Sequence, residues 1–196
     1  MQKNQLILAS TSPRRRRLLK QAGFIFSILP SKIVEATITH SSPEKNAQLL
    51  AKAKAEDVAQ VHPQSWVIGA DTIVSVSNKI LGKPASDKDA HDMLTQLSGK
   101  SHRVYTGFAI RHHDQGYLFS ESICTTVQFK TLTPGEIKWY LATKEPFDKA
   151  GAYAIQGKGA FMIKRINGSY TNVVGLPVSN VVGALAKVGL ADHLLA

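Results

Sequence analysis

The sequence predicts a mixed-sheet α/β protein, and three observations carry that prediction. Strand-like and helix-like segments alternate through the first half, a long hairpin pattern sits in the middle, and Ser-Pro or Thr-Pro pairs repeatedly mark helix starts. In chain order, Gln5 to Ser10 reads as a short buried strand. Ser12-Pro13 then supplies an N-cap and a proline at the first helical position, opening a helix to about Ala22 that Gly23 closes. Ser42-Pro43 repeats the signal, and Ala47, Leu50, Ala51, Val58 and Val61 recur at helical spacing up to His62-Pro63. Trp66 to Val76 is apolar and β-branched enough for a central strand that Asp71 interrupts, with Ser77-Asn78-Lys79 turning into Ile80-Leu81.

Asp87 to Leu97 reads as a third helix with Ala90, Met93, Leu94 and Leu97 on one face, ending near Gly99. Arg103 to Arg111 and Tyr117 to Lys130 are long strands flanking the loop 112–116, hence a hairpin. Thr133-Pro134 opens a helix through about Thr143. Gly159 to Ile166 returns to strand before a turn at Asn167-Gly168, and Pro177 starts the last helix. No repeat or disordered linker interrupts the chain, whose 196 residues suit one compact unit or two closely packed lobes.

Composition narrows the function classes. With 43% hydrophobic and 19% charged residues the chain is globular. The uncharged run Ile166 to Ala186 holds Asn167, Ser169, Asn172 and Asn180 and is too polar to span a bilayer. The apolar run Leu6 to Ala9 is too short for a signal peptide and Cys124 is the only cysteine, so a cytoplasmic location is expected. The net charge of +10 is concentrated: residues 1–34 hold Lys3, Arg14, Arg15, Arg16, Arg17, Lys20 and Lys32 and no acid, leaving +3 for the rest. An anionic partner follows, whether a nucleic acid, an acidic membrane or a phosphorylated small molecule.

The first helix start is electrostatically wrong unless it binds an anion. A helix N-terminus already carries about half a positive charge, so cations placed there are unfavourable. Ser10, Ser12 and backbone amides can cradle a phosphate while Arg14 and Arg15 grip it, the alternative being a solvated basic face. Successive helical residues are about 100° apart, so Arg16 or Arg17 is expected to face solvent.

Lys54 lies on the inward stripe of the second helix, where snorkelling is the alternative to an anion. Asp71 sits in an apolar strand, where a bare carboxylate is costly without a partner. Glu35 is the first acid after the basic segment. Lys83, between Gly82 and Pro84, is either a turn residue or a phosphate grip. The small-residue run 148–157 either lets a ligand approach backbone or needs special dihedrals, and Gly168 to Pro177 offers a second helix start. His112-His113-Asp114 lacks partner ligands at metal-site spacing and reads as a solvated loop. Walker, dinucleotide and nucleophile-elbow motifs are absent from the sequence.

In order, Leu8-Ala9-Ser10-Thr11-Ser12-Pro13-Arg14-Arg15, Gly69-Ala70-Asp71-Thr72, Leu81-Gly82-Lys83-Pro84 and Asp148-Lys149-Ala150-Gly151-Ala152-Tyr153 resemble the Maf family of nucleoside triphosphate pyrophosphatases. So do Leu97-Ser98-Gly99 with His102, Val104, Thr106 and Gly107, then Gly168-Ser169-Tyr170 and Val174-Gly175-Leu176-Pro177. The resemblance runs over nearly the whole chain. It implies a single Maf-like domain over 1–196: an elongated mixed β-sheet flanked by helices, with two lobes around a deep cleft, commonly in a homodimer. It further implies hydrolysis of a nucleotide to its monophosphate and pyrophosphate in the cytoplasm with a divalent cation, Mg2+ or Mn2+.

By motif, Arg14, Arg15, Lys54 and Lys83 would bind the triphosphate, Ser10 would help at the helix start, and Glu35 and Asp71 would hold the metal or activate water, Asp71 as proton acceptor. Two positions depart from the family pattern: the acidic pair after the first helix is Val34-Glu35 here, and the acid before the helix lysine is Ala53, so one potential metal ligand is missing.

Arg14, Thr72 and Gln156 resemble the dTTP/UTP branch rather than the 7-methyl-GTP branch. A glutamine amide can pair with a donor and an acceptor of the uracil or thymine edge at once. The alternatives are a nucleic-acid-binding regulator of septum formation and a pyrophosphatase for inosine or 7-methylguanosine triphosphate. For the former the sequence offers no helix-turn-helix, RNP or zinc-finger pattern.

Overall fold

In this computed structural model residues 5–191 of the chain are described. Seven strands, β1 (Leu6–Leu8), β2 (Ser27–Ile28), β3 (Trp66–Val76), β4 (Lys79–Leu81), β5 (Ser101–His112), β6 (Tyr117–Phe129) and β7 (Ile163–Asn167), form one sheet. The order is β2-β1-β3-β5-β6-β7, with β4 paired to β3. β1 is parallel to both neighbours, with Ile7 opposite Val67 and Ser27, whereas β4 runs antiparallel to β3 and β7 antiparallel to β6. The sheet is therefore mixed.

The helices are α1 (Pro13–Gln21), α2 (Pro43–Val61), α3 (Asp87–Leu97), α4 (Pro134–Ala142), α5 (Tyr170–Val174) and α6 (Val178–Ala186). The expected start signals Ser12, Ser42 and Thr133 act as caps, and so does Ser86 before α3: each accepts the backbone N–H three residues on. Thr133 and Glu136 complete a reciprocal capping box. Ser77 and Asn78 take φ of 47° and 62°, which closes the tight turn between β3 and β4. No helix of the described residues is long and apolar enough to cross a membrane.

The chain falls into two compact units. Among the described residues the first holds 5–71, Thr106–Ile123 and 175–191; the second holds Thr72–Tyr105 and Cys124–Val174. In the first, Ile7, Val67 and Ala109 from strands and Ala9 just after β1 pack with Ala51, Ala55, Val58 and Ala59 of α2. These small helical residues bring α2 close to the sheet. A Cβ at Gly69 would lie 2.2 Å from the Ala51 carbonyl oxygen, and one at Gly107 2.2 Å from that of Ala47, so only glycine allows this seating. In the second, Met93, Leu94 and Leu97 of α3 pack with Phe129, Ile137, Tyr140, Tyr153 and Met162.

Four places differ from expectation. Residues 159–162, read as the start of a strand, belong to a 3-10 segment, Gly157–Met162, and β7 begins only at Ile163. Gly159 is pressed between the Ala154 carbonyl and the Tyr140 hydroxyl, a tertiary constraint that outweighs the apolar run. The two-residue β2 and five-residue α5 carry too little periodicity to stand out. His112 ends β5 in the core, edge-on to Trp66 at 4.9 Å, rather than in a solvated loop; His113 and Asp114 are exposed.

Candidate active site

β1 delivers the chain to a buried Ser10 just before α1. Its Oγ accepts the backbone N–H of Ser12 at 3.2 Å and Arg15 Nη1 at 3.3 Å. Arg15 Nε donates to the Gly175 carbonyl at 2.8 Å, so Nε and Nη1 of this guanidinium are both engaged. Burial pushes the Arg15 pKa down; the Asp71 carboxylate opposes that, Arg14 adds to it and Glu35 opposes it. Arg14, Arg15, Glu35 and Asp71 therefore share one electrostatic neighbourhood. Arg14 and Arg15 are half-buried while Arg16 and Arg17 are exposed, the division that helical geometry requires.

Lys54 is the centre of the arrangement. It is buried on α2, and its Nζ donates to Asp71 Oδ1 at 2.6 Å and lies 2.7 Å from Glu35 Oε1. Asp71 is buried on β3, whereas Glu35 opens an exposed 3-10 turn, Glu35–Thr37, and reaches the lysine from there. The Gly69 contact with α2 lies two residues before Asp71, and Lys54 lies one turn beyond Ala51, so the glycine seating registers the pair. Arg14, Arg15 and Lys54 outnumber Glu35 and Asp71. The residual charge favours an anion.

Glu35 and Asp71 also reach one nitrogen from different segments, so their oxygens converge. Among the described residues no group of three His, Cys, Asp or Glu side chains could hold a metal. Two convergent carboxylates supply oxygen donors of the kind that hard divalent cations take.

The second unit carries the other three expected residues. Thr72 follows Asp71 on β3 and is half-buried; Lys83 is exposed after β4; Gln156 is half-buried before the segment Gly157–Met162. The turn holding Lys83 is tied to the small-residue run, because Gly151 N–H donates to the Gly82 carbonyl at 2.9 Å.

Sequence reasoning gave several tightly bonded groups no role of their own. The Gly175 carbonyl fixes Arg15, although the segment containing it looked like a second anion site. His102 and Tyr153 are buried and hydrogen-bonded at 2.7 Å, and Glu145 gathers three donors from distant positions.

A family model described as Maf-like protein matches residues 5–188. A dTTP/UTP pyrophosphatase of Syntrophus aciditrophicus is 45% identical over 94% of this chain and 90% of its own. One of Halalkalibacterium halodurans is 50% identical over 96% and 98%, and one of a Geobacillus species 51% identical over 94% and 98%.

Proposed function

The chain belongs to the Maf-like protein family, and from that premise we propose that it hydrolyses dTTP and UTP to the monophosphate and pyrophosphate. The observation that carries the chemistry is the buried Lys54 joined to both Asp71 and Glu35, beside Arg14 and Arg15 at a helix start. Full-length relatives at 45–51% identity bear the name of that activity.

In this reading the α1 N-terminus, Ser10, Arg14 and Arg15 bind phosphate oxygens, and Lys83 contributes a further cation. Lys54 holds Asp71 in place and lends positive charge to the phosphate that acquires negative charge in the transition state. Asp71 accepts a proton from the water that attacks the α-phosphorus, and pyrophosphate leaves. Glu35 and Asp71 would hold a divalent cation, Mg2+ or Mn2+, which when bound neutralises phosphate charge and lowers the pKa of water. Gln156 pairs with the pyrimidine edge, and Thr72 tunes the same recognition.

We extend the proposal to a cytoplasmic homodimer, the state the family resemblance implies; light scattering at twice the 21.3 kDa chain mass tests it. Profiling nucleoside triphosphates with pyrophosphate detection tests the activity. Turnover highest on dTTP and UTP supports it; preference for a purine triphosphate, or no release of pyrophosphate, counts against it.

A further inference from the structure

The segment that holds Gln156 is clasped on both sides. Before it, the Ala154 N–H donates to the Tyr140 hydroxyl at 3.2 Å, and that hydroxyl donates to Glu145 Oε1 at 3.0 Å. After it, the Lys158 N–H donates to Glu145 Oε2 at 3.0 Å and the Gly159 N–H to Oε1 at 3.1 Å. One residue further upstream, the buried Tyr153 hydroxyl lies 2.7 Å from His102 Nε2. Gln156 is thus bracketed by tied backbone groups, and one carboxylate closes the bracket.

The close approach is built in. A Cβ at Gly157 would lie 2.7 Å from Glu145 Oε2, and one at Gly159 2.8 Å from the Tyr140 hydroxyl. Gly157 also holds φ of 72°, a conformation that glycine alone takes without strain. Tyr140 is fully buried on α4, so the hydroxyl's position is fixed by the core. An ionised carboxylate is an acceptor-only group, and here all three of its partners are donors. Such charge-assisted bonds are roughly twice as strong as neutral ones.

We infer that Glu145, acting through Tyr140 and the backbone of 158–159, is a positioning residue that sets Gln156 and so the choice of base. The inference rests on the proposal that Gln156 pairs with the pyrimidine edge. Hydrogen-bonded selection needs the amide held in place before the base arrives; an unclasped segment lets the amide adapt to other bases. The phosphate chemistry, which rests on Asp71, Lys54 and Glu35, does not depend on the clasp.

The test measures kcat/KM for UTP and for GTP in wild type, Glu145→Gln, Tyr140→Phe and Gln156→Glu, with thermal melting alongside. Glu145→Gln turns an amide NH2 towards a backbone N–H it cannot accept. Tyr140→Phe keeps the core ring and removes only the hydroxyl, so it decides the matter if the first variant does not fold. The UTP-to-GTP ratio should fall by about 10-fold in Glu145→Gln, through a raised KM for UTP with kcat on GTP retained, and by less in Tyr140→Phe. A merely structural clasp lowers both substrates in proportion. That result, with Gln156→Glu still shifting the ratio, overturns the positioning role and leaves the base reading intact. A ratio unmoved by Gln156→Glu overturns the base reading, and this inference with it.

Discussion

Lys54 and Asp71 are both buried and touch at 2.6 Å, so each compensates a charge that would be costly alone. Their substitutions should not be equivalent. Asp71→Asn leaves Lys54 with Glu35 at 2.7 Å, so the fold should survive while turnover drops at least about 100-fold, because an amide takes no proton from water. Turnover retained at saturating metal would exclude Asp71 as the base. Lys54→Met instead strands the Asp71 carboxylate and should cost about 3 kcal/mol in urea unfolding. Arg14→Ala at the helix start and Lys83→Ala after β4 should each raise KM for the triphosphate, whereas the exposed Arg17 should be replaceable by alanine with little effect. Equal losses at all three would indicate a diffuse basic patch.

The seating of α2 on β3 is the element on which the pair depends. Gly69→Ala drives a methyl into the Ala51 carbonyl and must move α2, so both melting temperature and activity should fall. Gly183 in α6 is exposed with open space around its Cβ position, and Gly183→Ala should stabilise by up to about 1 kcal/mol without touching turnover. A Gly69→Ala protein as active as wild type would contradict the seating. The elements themselves were largely legible: β3 and α3 have the bounds that β-branched residues, a Ser-Asn turn and an amphipathic stripe announce. Lys54 and Asp71 were legible as polar intrusions on apolar faces. What could not be read was tertiary. Nothing local to Glu145 signals that its carboxylate meets Lys158 and Gly159, and the apolar run around Phe161 reads as strand until Gly159 is seen against Tyr140.

For the whole molecule, pH and salt report on different features. Burial pushes His102 down to about 4, so the unfolded chain binds a proton that the folded protein refuses. Stability should therefore fall as pH drops from about 6.5 towards 4, by up to roughly 3 kcal/mol from this group. Urea unfolding of wild type and His102→Phe across that window should show a shallower slope in the variant; an unchanged slope would assign the loss elsewhere. The +10 charge should give only weak DNA binding that falls steeply with salt, while nucleotide turnover persists at physiological ionic strength. Tight, sequence-selective DNA binding would count against an enzyme. The central claim is attack of water on the α-phosphorus, and the most direct measurement runs UTP turnover in heavy-oxygen water and locates the label by mass spectrometry. UMP carrying the label beside unlabelled pyrophosphate is the predicted result; label in pyrophosphate, or release of UDP and orthophosphate, would contradict it.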